Sequence, residues 1–142
     1  MTQWAFGITL DNEELKTVRA ALDDYFEVCR REVRKGETVP FLAHRSSLRR
    51  FLRALPRRTK LSSPPTVSDQ ATFYVWDSEH FSLEAAFANY LDRCEREIAN
   101  GITVPFDANR AAIERIRARM LDESWRALLY AEAKMRPRRG DE

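Results

Sequence analysis

One six-residue segment occurs twice in this chain, and it constrains the fold more than any other feature. It reads GETVPF at residues 36–41 and GITVPF at residues 101–106. In each copy Gly supplies the left-handed conformation that ends a helix, and Val before Pro is pushed into an extended conformation. We therefore predict that each copy joins two helices in a tight turn. A ligand-binding loop is the alternative, but hydroxyl and backbone groups alone form a weak binding signature.

The similarity extends well beyond the two connectors. A shift of 65 positions places residues 25–55 on residues 90–120 with twelve identities in 31 positions. Self-similarity at one fixed offset is the sequence signature of an internal duplication. We therefore expect the two halves of the chain to have the same topology.

Each half begins with a candidate β-strand. Trp4, Phe6, Ile8 and Leu10 alternate with smaller or polar residues, which is typical of a half-buried strand, and residues 72–76 are the counterpart. One strand per half cannot form a sheet. Because an isolated ribbon is marginal in water, we expect the two strands to pair with each other while helices cover one face.

A long helix follows each strand. Asp11 or Asn12 can cap the first helix, which should run to Lys35. Both long helices have apolar stripes at helical spacing. The first stripe comprises Leu15, Val18, Leu22, Tyr25, Phe26, Cys29 and Val33, and the second comprises Leu83, Phe87, Tyr90, Leu91, Cys94 and Ile98.

The helices after the two connectors differ in length. The first should end near Pro56, whereas the second, with Asp107 expected as its N-cap, meets no proline until Pro137. We predict a mainly α (α+β) fold of two tandem β-α-α repeats that form one pseudo-two-fold unit. The repeats should span residues 1–60 and 71–136, with a linker at 61–70 and a polar tail at 137–142. Residues 15–55 and 80–120 should superpose by a rotation of roughly 180°.

Composition limits the class of protein. A chain of 142 residues with 44% hydrophobic residues is long enough for one core or for two small interlocked domains. It has no apolar run of membrane-span length, and its first residues lack the features of a signal peptide, so we expect a cytoplasmic protein with reduced cysteines. Twenty Arg against four Lys favours a GC-rich bacterial or phage source.

The sequence lacks the common signature motifs of catalytic, nucleotide-binding and metal-binding sites. It contains no GxGxxG, GxxxxGK[ST], GxSxG or HExxH motif. His44 and His80 have no ligand-type neighbour at metal spacing, and Cys29 and Cys94 lie on apolar stripes, where a thiol is usually a small hydrophobe. We therefore predict no catalytic, cofactor-binding or metal-ligating residue, no cofactor and no enzymatic activity.

Charge is unevenly distributed along the chain. The net charge is +2, but residues 1–68 carry +5 and residues 69–142 carry −3. No acid occurs between residues 38 and 68. The basic residues of this stretch, which we predict to bind an anionic partner, are Arg45, Arg49, Arg50, Arg53, Arg57, Arg58 and Lys60. A solvated surface is the alternative explanation.

Two further sets of residues are candidates for a protein interface. Arg31 and Arg96 point away from the apolar stripes in both halves, although each follows an acid by four residues, so a helix-stabilising pair is the alternative. The longer last helix carries a second apolar stripe at Leu121, Trp125, Leu128 and Leu129. This stripe either packs across the first repeat or forms an oligomer or partner interface with Trp125 as its anchor.

These observations favour a small non-enzymatic protein that binds a macromolecule. We expect an adaptor or inhibitor, phage- or plasmid-encoded, that occupies the surface of another protein. The alternative is a nucleic-acid-binding protein that uses the basic helix and linker at residues 44–60. The partner, protein or nucleic acid, should contact the basic surface of the first repeat, no membrane should be involved, and a homodimer is a further expectation.

Overall fold

The computed structural model describes residues 5–55 and 70–135, here called the first and second halves. The elements are β1 (Ala5–Asp11), α1 (Asn12–Arg34), α2 (Phe41–Ala54), β2 (Gln70–Trp76), α3 (Asp77–Ala99) and α4 (Phe106–Met135). The described residues are thus mainly helical with one two-stranded antiparallel sheet, as predicted. The expected linker and polar tail lie outside the described residues, apart from Gln70, which begins β2.

The sheet has one face covered by the helices and one exposed face, which carries Tyr74 and Trp76 as well as threonines. Ile8 lies opposite Phe73 at the centre of the antiparallel register. Phe6, Ile8 and Leu10 are buried under the helices, as is Val75 in β2. On the other face the hydroxyl groups of Thr9 and Thr72 are 2.9 Å apart and exposed. The period-two pattern of β1 therefore predicted which face would be covered.

Local signals in the sequence define both ends of α1. The Asp11 carboxylate accepts a hydrogen bond from the Glu14 amide at 2.8 Å, and the Glu14 carboxylate accepts one from the Asp11 amide at 3.1 Å. This capping box confirms Asp11 as the N-cap. At the other end Gly36 has φ of 94°, and Gly101 has φ of 89° after α3. Residues with a Cβ atom are disfavoured at positive φ, so both positions suit glycine.

The two connectors have the same pattern of backbone hydrogen bonds. The Glu37 amide donates to the Glu32 carbonyl at 2.9 Å, and the Ile102 amide donates to the Glu97 carbonyl at 2.8 Å. With the amides of Gly36 and Gly101 donating to Val33 and Ile98, these contacts form a Schellman motif after each long helix. Both Val–Pro peptide bonds are cis. The connectors therefore join consecutive helices, as the sequence predicted.

The start of α4 differs from the prediction. This helix begins at Phe106, one residue before the expected N-cap Asp107. Asp107 consequently lies in the first turn, where its carboxylate accepts a hydrogen bond from Arg110 at 3.0 Å. A carboxylate in the first turn still interacts favourably with the helix dipole.

A single core lies between the sheet and the helices. α1 packs against α3, α2 packs against α1 and α3, and α4 packs against α3, α1 and β1. The second helix of each half, α2 or α4, therefore contacts elements of both halves. The largest fully buried side chains include Phe51 from α2, Phe87 from α3, and Ile116 and Met120 from α4. Burial of such side chains stabilises a fold by about 1.5–3 kcal/mol each.

Candidate functional site

The second part of α4 has one covered face and one exposed face. Met120 and Ser124 are buried against the rest of the protein. Leu121, Trp125 and Leu129, which follow each other at intervals of four residues, expose 56%, 55% and 57% of their surfaces. We call these three residues the α4 outer face. Of the predicted interface residues on this helix, Leu128 is half-buried and lies outside this set.

Arginine side chains hold α4 in this orientation. Arg119 donates to the Thr9 carbonyl oxygen of β1 at 2.8 Å and also pairs with the buried carboxylate of Glu14. Arg117 pairs with Glu84 of α3 at 3.0 Å. The helix is therefore attached to the sheet, α1 and α3. Of the two alternatives for the stripe, packing across the first half does not occur for Leu121, Trp125 and Leu129, which are exposed, because α4 packs on the first half through other residues.

The charges around the α4 outer face are of mixed sign. Glu123 and Arg126 form an ion pair at 3.1 Å, and the Lys134 ammonium lies 4.6 Å from the Tyr130 ring centroid. Asp122 and Glu132 are exposed nearby along the same helix. The rim of this face therefore has little net charge.

A second surface forms where α1 and α2 meet. The guanidinium groups of Arg30 and Arg49 lie 5.9 and 5.8 Å from the centroid of the Phe26 ring. Arg45, Arg49 and Arg53 follow each other one helical turn apart on α2. We call Arg30, Arg45, Arg49 and Arg53, with Phe26, the basic seam.

The basic residues predicted as one surface do not all belong to this seam. Arg50 points to α3, where two of its guanidinium nitrogens donate to the Glu79 carboxylate. Its charge is therefore already paired within the described part of the fold, unlike the charges of Arg49 and Arg53. Arg57, Arg58 and Lys60 lie outside the described residues.

Arg31 and Arg96 have different surroundings in the structure. Arg96 pairs with Asp92 at 3.6 Å, which is the helix-stabilising alternative from the sequence. In α1 the acid at the corresponding position, Glu27, instead pairs with Arg30 at 3.0 Å. Both arginines lie near the ends of the long helices, not on α4, so nothing joins them to the α4 outer face.

Sequence reasoning missed a buried polar contact between the halves. His44 Nδ1 lies 2.8 Å from Ser82 Oγ, and both side chains are buried. Burial lowers the pKa of His44 below its ordinary value of 6.5. In the second half Asn109 accepts a hydrogen bond from Thr17 Oγ1 at 3.2 Å. Positions 44 and 109 are 65 residues apart, and so are positions 17 and 82. The offset found in the sequence therefore relates the two contacts to each other.

This polar contact is suited to packing and not to catalysis. A Ser–His pair acts as nucleophile and base only where substrate can reach the hydroxyl group. Ser82 and His44 are almost completely buried. The related contact of Thr17 with Asn109 has no basic group at all, although it joins the corresponding helices. Both contacts therefore satisfy buried polar groups between helices.

The two cysteines are buried as the sequence predicted. Burial raises the pKa of the Cys29 thiol to about 11 and also raises the pKa of Cys94 above its ordinary value. Because the thiolate is the reactive species, neither thiol is activated at neutral pH. Among residues 5–55 and 70–135, no group of three His, Cys, Asp or Glu side chains is arranged to hold a metal ion.

An open cleft of about 480 Å³ lies where α3 begins. It is lined by Ser47, Arg50, Trp76, Ser78 and Glu79. The Arg50 charge in this cleft is neutralised by Glu79. Among the described residues that line the cleft, none offers an unpaired cation to an anionic ligand.

No protein-family model matches this chain, and no curated protein or solved structure is significantly similar to it. None of the described helices is both long enough and apolar enough to cross a membrane.

Proposed function

We propose that this chain is a non-enzymatic adaptor or inhibitor that inserts the α4 outer face into an apolar groove of another protein. The observation that carries this proposal is the exposure of Leu121, Trp125 and Leu129 on a helix that packs on the protein through Ile116, Met120 and Ser124. A helix that presents apolar side chains about one turn apart along one face can lie in a hydrophobic groove of a partner. Trp is also the residue type most enriched among dominant interface contacts.

The charges around this face favour a protein groove over other occupants. Nucleic acid and anionic lipid both select a strongly basic rim. Here Glu123 and Arg126 neutralise each other, and Asp122, Glu132 and Lys134 leave little net charge. A near-neutral rim around an apolar centre is instead typical of protein–protein interfaces.

The two halves together form the frame that presents α4. We propose that the two halves are tandem repeats related by a pseudo-two-fold axis, which passes near the Ile8–Phe73 pair. In support, positions 65 apart lie opposite each other in the sheet at that pair. The contacts of His44 with Ser82 and of Asn109 with Thr17 also exchange under the same offset.

A second pair of contacts supports this frame. Arg50 binds Glu79, and Arg115, 65 positions later, approaches Glu14 at 3.9 Å. A two-fold relation between the halves requires such exchange, because each second helix then contacts the long helix of the other half. On this frame α4 continues for more than four turns beyond the end of its counterpart α2, and the α4 outer face lies on that extension.

Site-specific crosslinking tests the proposed partner. A benzoylphenylalanine in place of Trp125 should crosslink to one cellular protein, whereas the same group in place of exposed Ala111 on the same helix should not. The purified partner should then bind the unmodified chain, and Trp125→Ala should weaken that binding at least thirtyfold, the size expected for a dominant contact of about 2 kcal/mol.

Three results would overturn the proposal. Crosslinking of Trp125-substituted chains only to each other would show that a second copy occupies the α4 outer face. Equal crosslinking from both positions, or unchanged affinity of Trp125→Ala for the purified partner, would show that this face is not the binding site. Sedimentation of the unmodified chain separates the first result from the others.

A further inference from the structure

The basic seam and the corresponding surface of the second half carry different side chains. Packing of the core does not require this difference, because these side chains lie at the surface. Arg45 of the seam has an arginine, Arg110, at the position 65 residues later. The positions 65 residues after Phe26, Arg30, Arg49 and Arg53 are Leu91, Glu95, Glu114 and Ala118. Core residues at the same offset remain apolar, as in Leu48 with Ile113 and Phe51 with Ile116. The two halves therefore have apolar residues at corresponding buried positions but differ at four of the five positions of the seam.

We infer that the basic seam binds the phosphate groups of a nucleic acid. Arg49 and Arg53 are exposed, and within residues 5–55 and 70–135 neither forms an ion pair. Their guanidinium groups are therefore available for an anion. An unpaired Arg can donate two hydrogen bonds to one phosphate group, which gives the contact both strength and orientation.

The spacing of the arginines fits a polymer of phosphates better than a single anion. Arg45, Arg49 and Arg53 extend along α2 over about 12 Å, given a rise of about 1.5 Å per residue. Arg30, whose charge is paired with Glu27, lies beside this row on α1 and shares the Phe26 ring with Arg49. A row of cations along one helix can contact successive phosphates of one strand.

An acidic protein is the less suitable partner for this seam. Protein interfaces depend on apolar anchors at their centre. The apolar residue of the seam, Phe26, is half-buried and lies between two guanidinium groups. The seam thus offers charge without an exposed anchor, which matches recognition dominated by the phosphate backbone. This inference is independent of the protein groove proposed for α4.

Affinity titration with labelled oligonucleotides tests the inference. The full chain is titrated at about 50 mM and about 200 mM salt against a short single strand, the matching duplex, and poly-glutamate as a mimic of an acidic protein. If three arginines contact phosphates, the slope of log K against log salt should be about −2 for the single strand or about −3 for the duplex. The two nucleic acids distinguish a seam that follows one strand from one that follows a duplex.

Matched variants distinguish binding through the basic seam from a nonspecific effect of net charge. Arg49→Glu combined with Arg53→Ala introduces the residues that the second half carries at these positions, and it should reduce affinity at least tenfold and flatten the salt slope. Lys16→Glu changes the net charge by as much as Arg49→Glu alone, and its side chain is 75% exposed on α1. Its affinity should remain within about twofold of the unmodified chain.

The inference is overturned by any of four results. These are no nucleic-acid binding at about 50 mM salt, equal binding of poly-glutamate, an unchanged affinity of the Arg49/Arg53 variant, and an equal loss in Lys16→Glu and Arg49→Glu. Thermal unfolding of each variant identifies a loss that comes from misfolding, in which case Arg53→Ala alone replaces the double variant. None of these results bears on binding through α4.

Discussion

The Asp24 carboxylate accepts a hydrogen bond from the Asn89 amide group at 3.0 Å, where α1 crosses α3. These two residues are 65 positions apart, which is the same offset that aligns the two copies of the connector. Arg93 donates to the other carboxylate oxygen of Asp24 at 2.9 Å. Asp24 therefore joins the two long helices by two hydrogen bonds at one point.

Removal of this carboxylate should weaken the contact between the long helices. Asp24→Ala leaves the part-buried Asn89 amide group without its acceptor, so we expect the free energy of unfolding to fall by about 1–2 kcal/mol. Asp24→Asn keeps an acceptor and should lose less than about 1 kcal/mol. Urea unfolding of both variants measures the difference, and equal losses would contradict this role.

His44 should make stability depend on pH. Its pKa is lowered in the folded protein, so the unfolded chain binds the proton first as pH falls below 6.5. Stability should therefore be fully present above pH 6.5 and should decrease as pH falls through the lower pKa of the folded state. His44→Asn, the residue at position 109, should remove this part of the pH dependence in thermal unfolding from pH 8 to pH 5. An identical pH dependence in the variant would exclude His44 as its source.

The two faces of α4 should respond differently to truncation. Met120 is fully buried, and Met120→Ala should cost about 2–5 kcal/mol because it leaves a cavity. Trp125 is 55% exposed, and Trp125→Ala should change the free energy of unfolding by less than about 1 kcal/mol. Denaturant titration compares them directly. A loss of several kcal/mol in Trp125→Ala would mean that this side chain belongs to the core.

The two connector glycines should be equally sensitive to substitution. A Cβ added at Gly36 or Gly101 would meet no atom within 4 Å, so any cost comes from the positive φ alone. Each Gly→Ala variant should lose about 1–2 kcal/mol, and the double variant should lose the sum because the sites do not touch. Clearly unequal losses would show that the connectors have different roles in stability.

The cysteines should react only in the unfolded chain. With the pKa of Cys29 raised to about 11, about one thiol in a thousand is a thiolate at pH 8, and burial blocks access as well. Alkylation with iodoacetamide, followed by intact mass, should be slow in buffer and complete in urea for both cysteines. Rapid labelling of the folded protein would contradict their burial.

Local signals in the sequence predicted the secondary structure well. The capping box at Asp11, the glycine after each long helix and the alternation in β1 act within a few residues. Their effects therefore do not depend on the rest of the fold. Asp107 is the exception, because either of two neighbouring residues can start a helix at nearly the same free energy.

The sequence predicted the candidate surfaces only in part. The apolar stripe of α4 was visible from its spacing, but periodicity does not show which side a neighbouring element covers. Likewise Arg50 looks equivalent to Arg49 along α2, and only the arrival of Glu79 from α3 separates them. The buried contact of His44 with Ser82 was missed because its two residues are distant in the sequence.

The sequence by itself determined the repeated connector, the helix ends and the apolar faces that form the core, because each depends on backbone preferences or on the spacing of nearby residues. The tertiary structure decided which charges are paired and which apolar residues remain exposed. Those outcomes depend on the side chains that distant elements bring within a few ångströms. Leu121, Trp125 and Leu129 remain exposed because α4 packs on the protein through Ile113, Ile116 and Met120, which lie on another side of the helix.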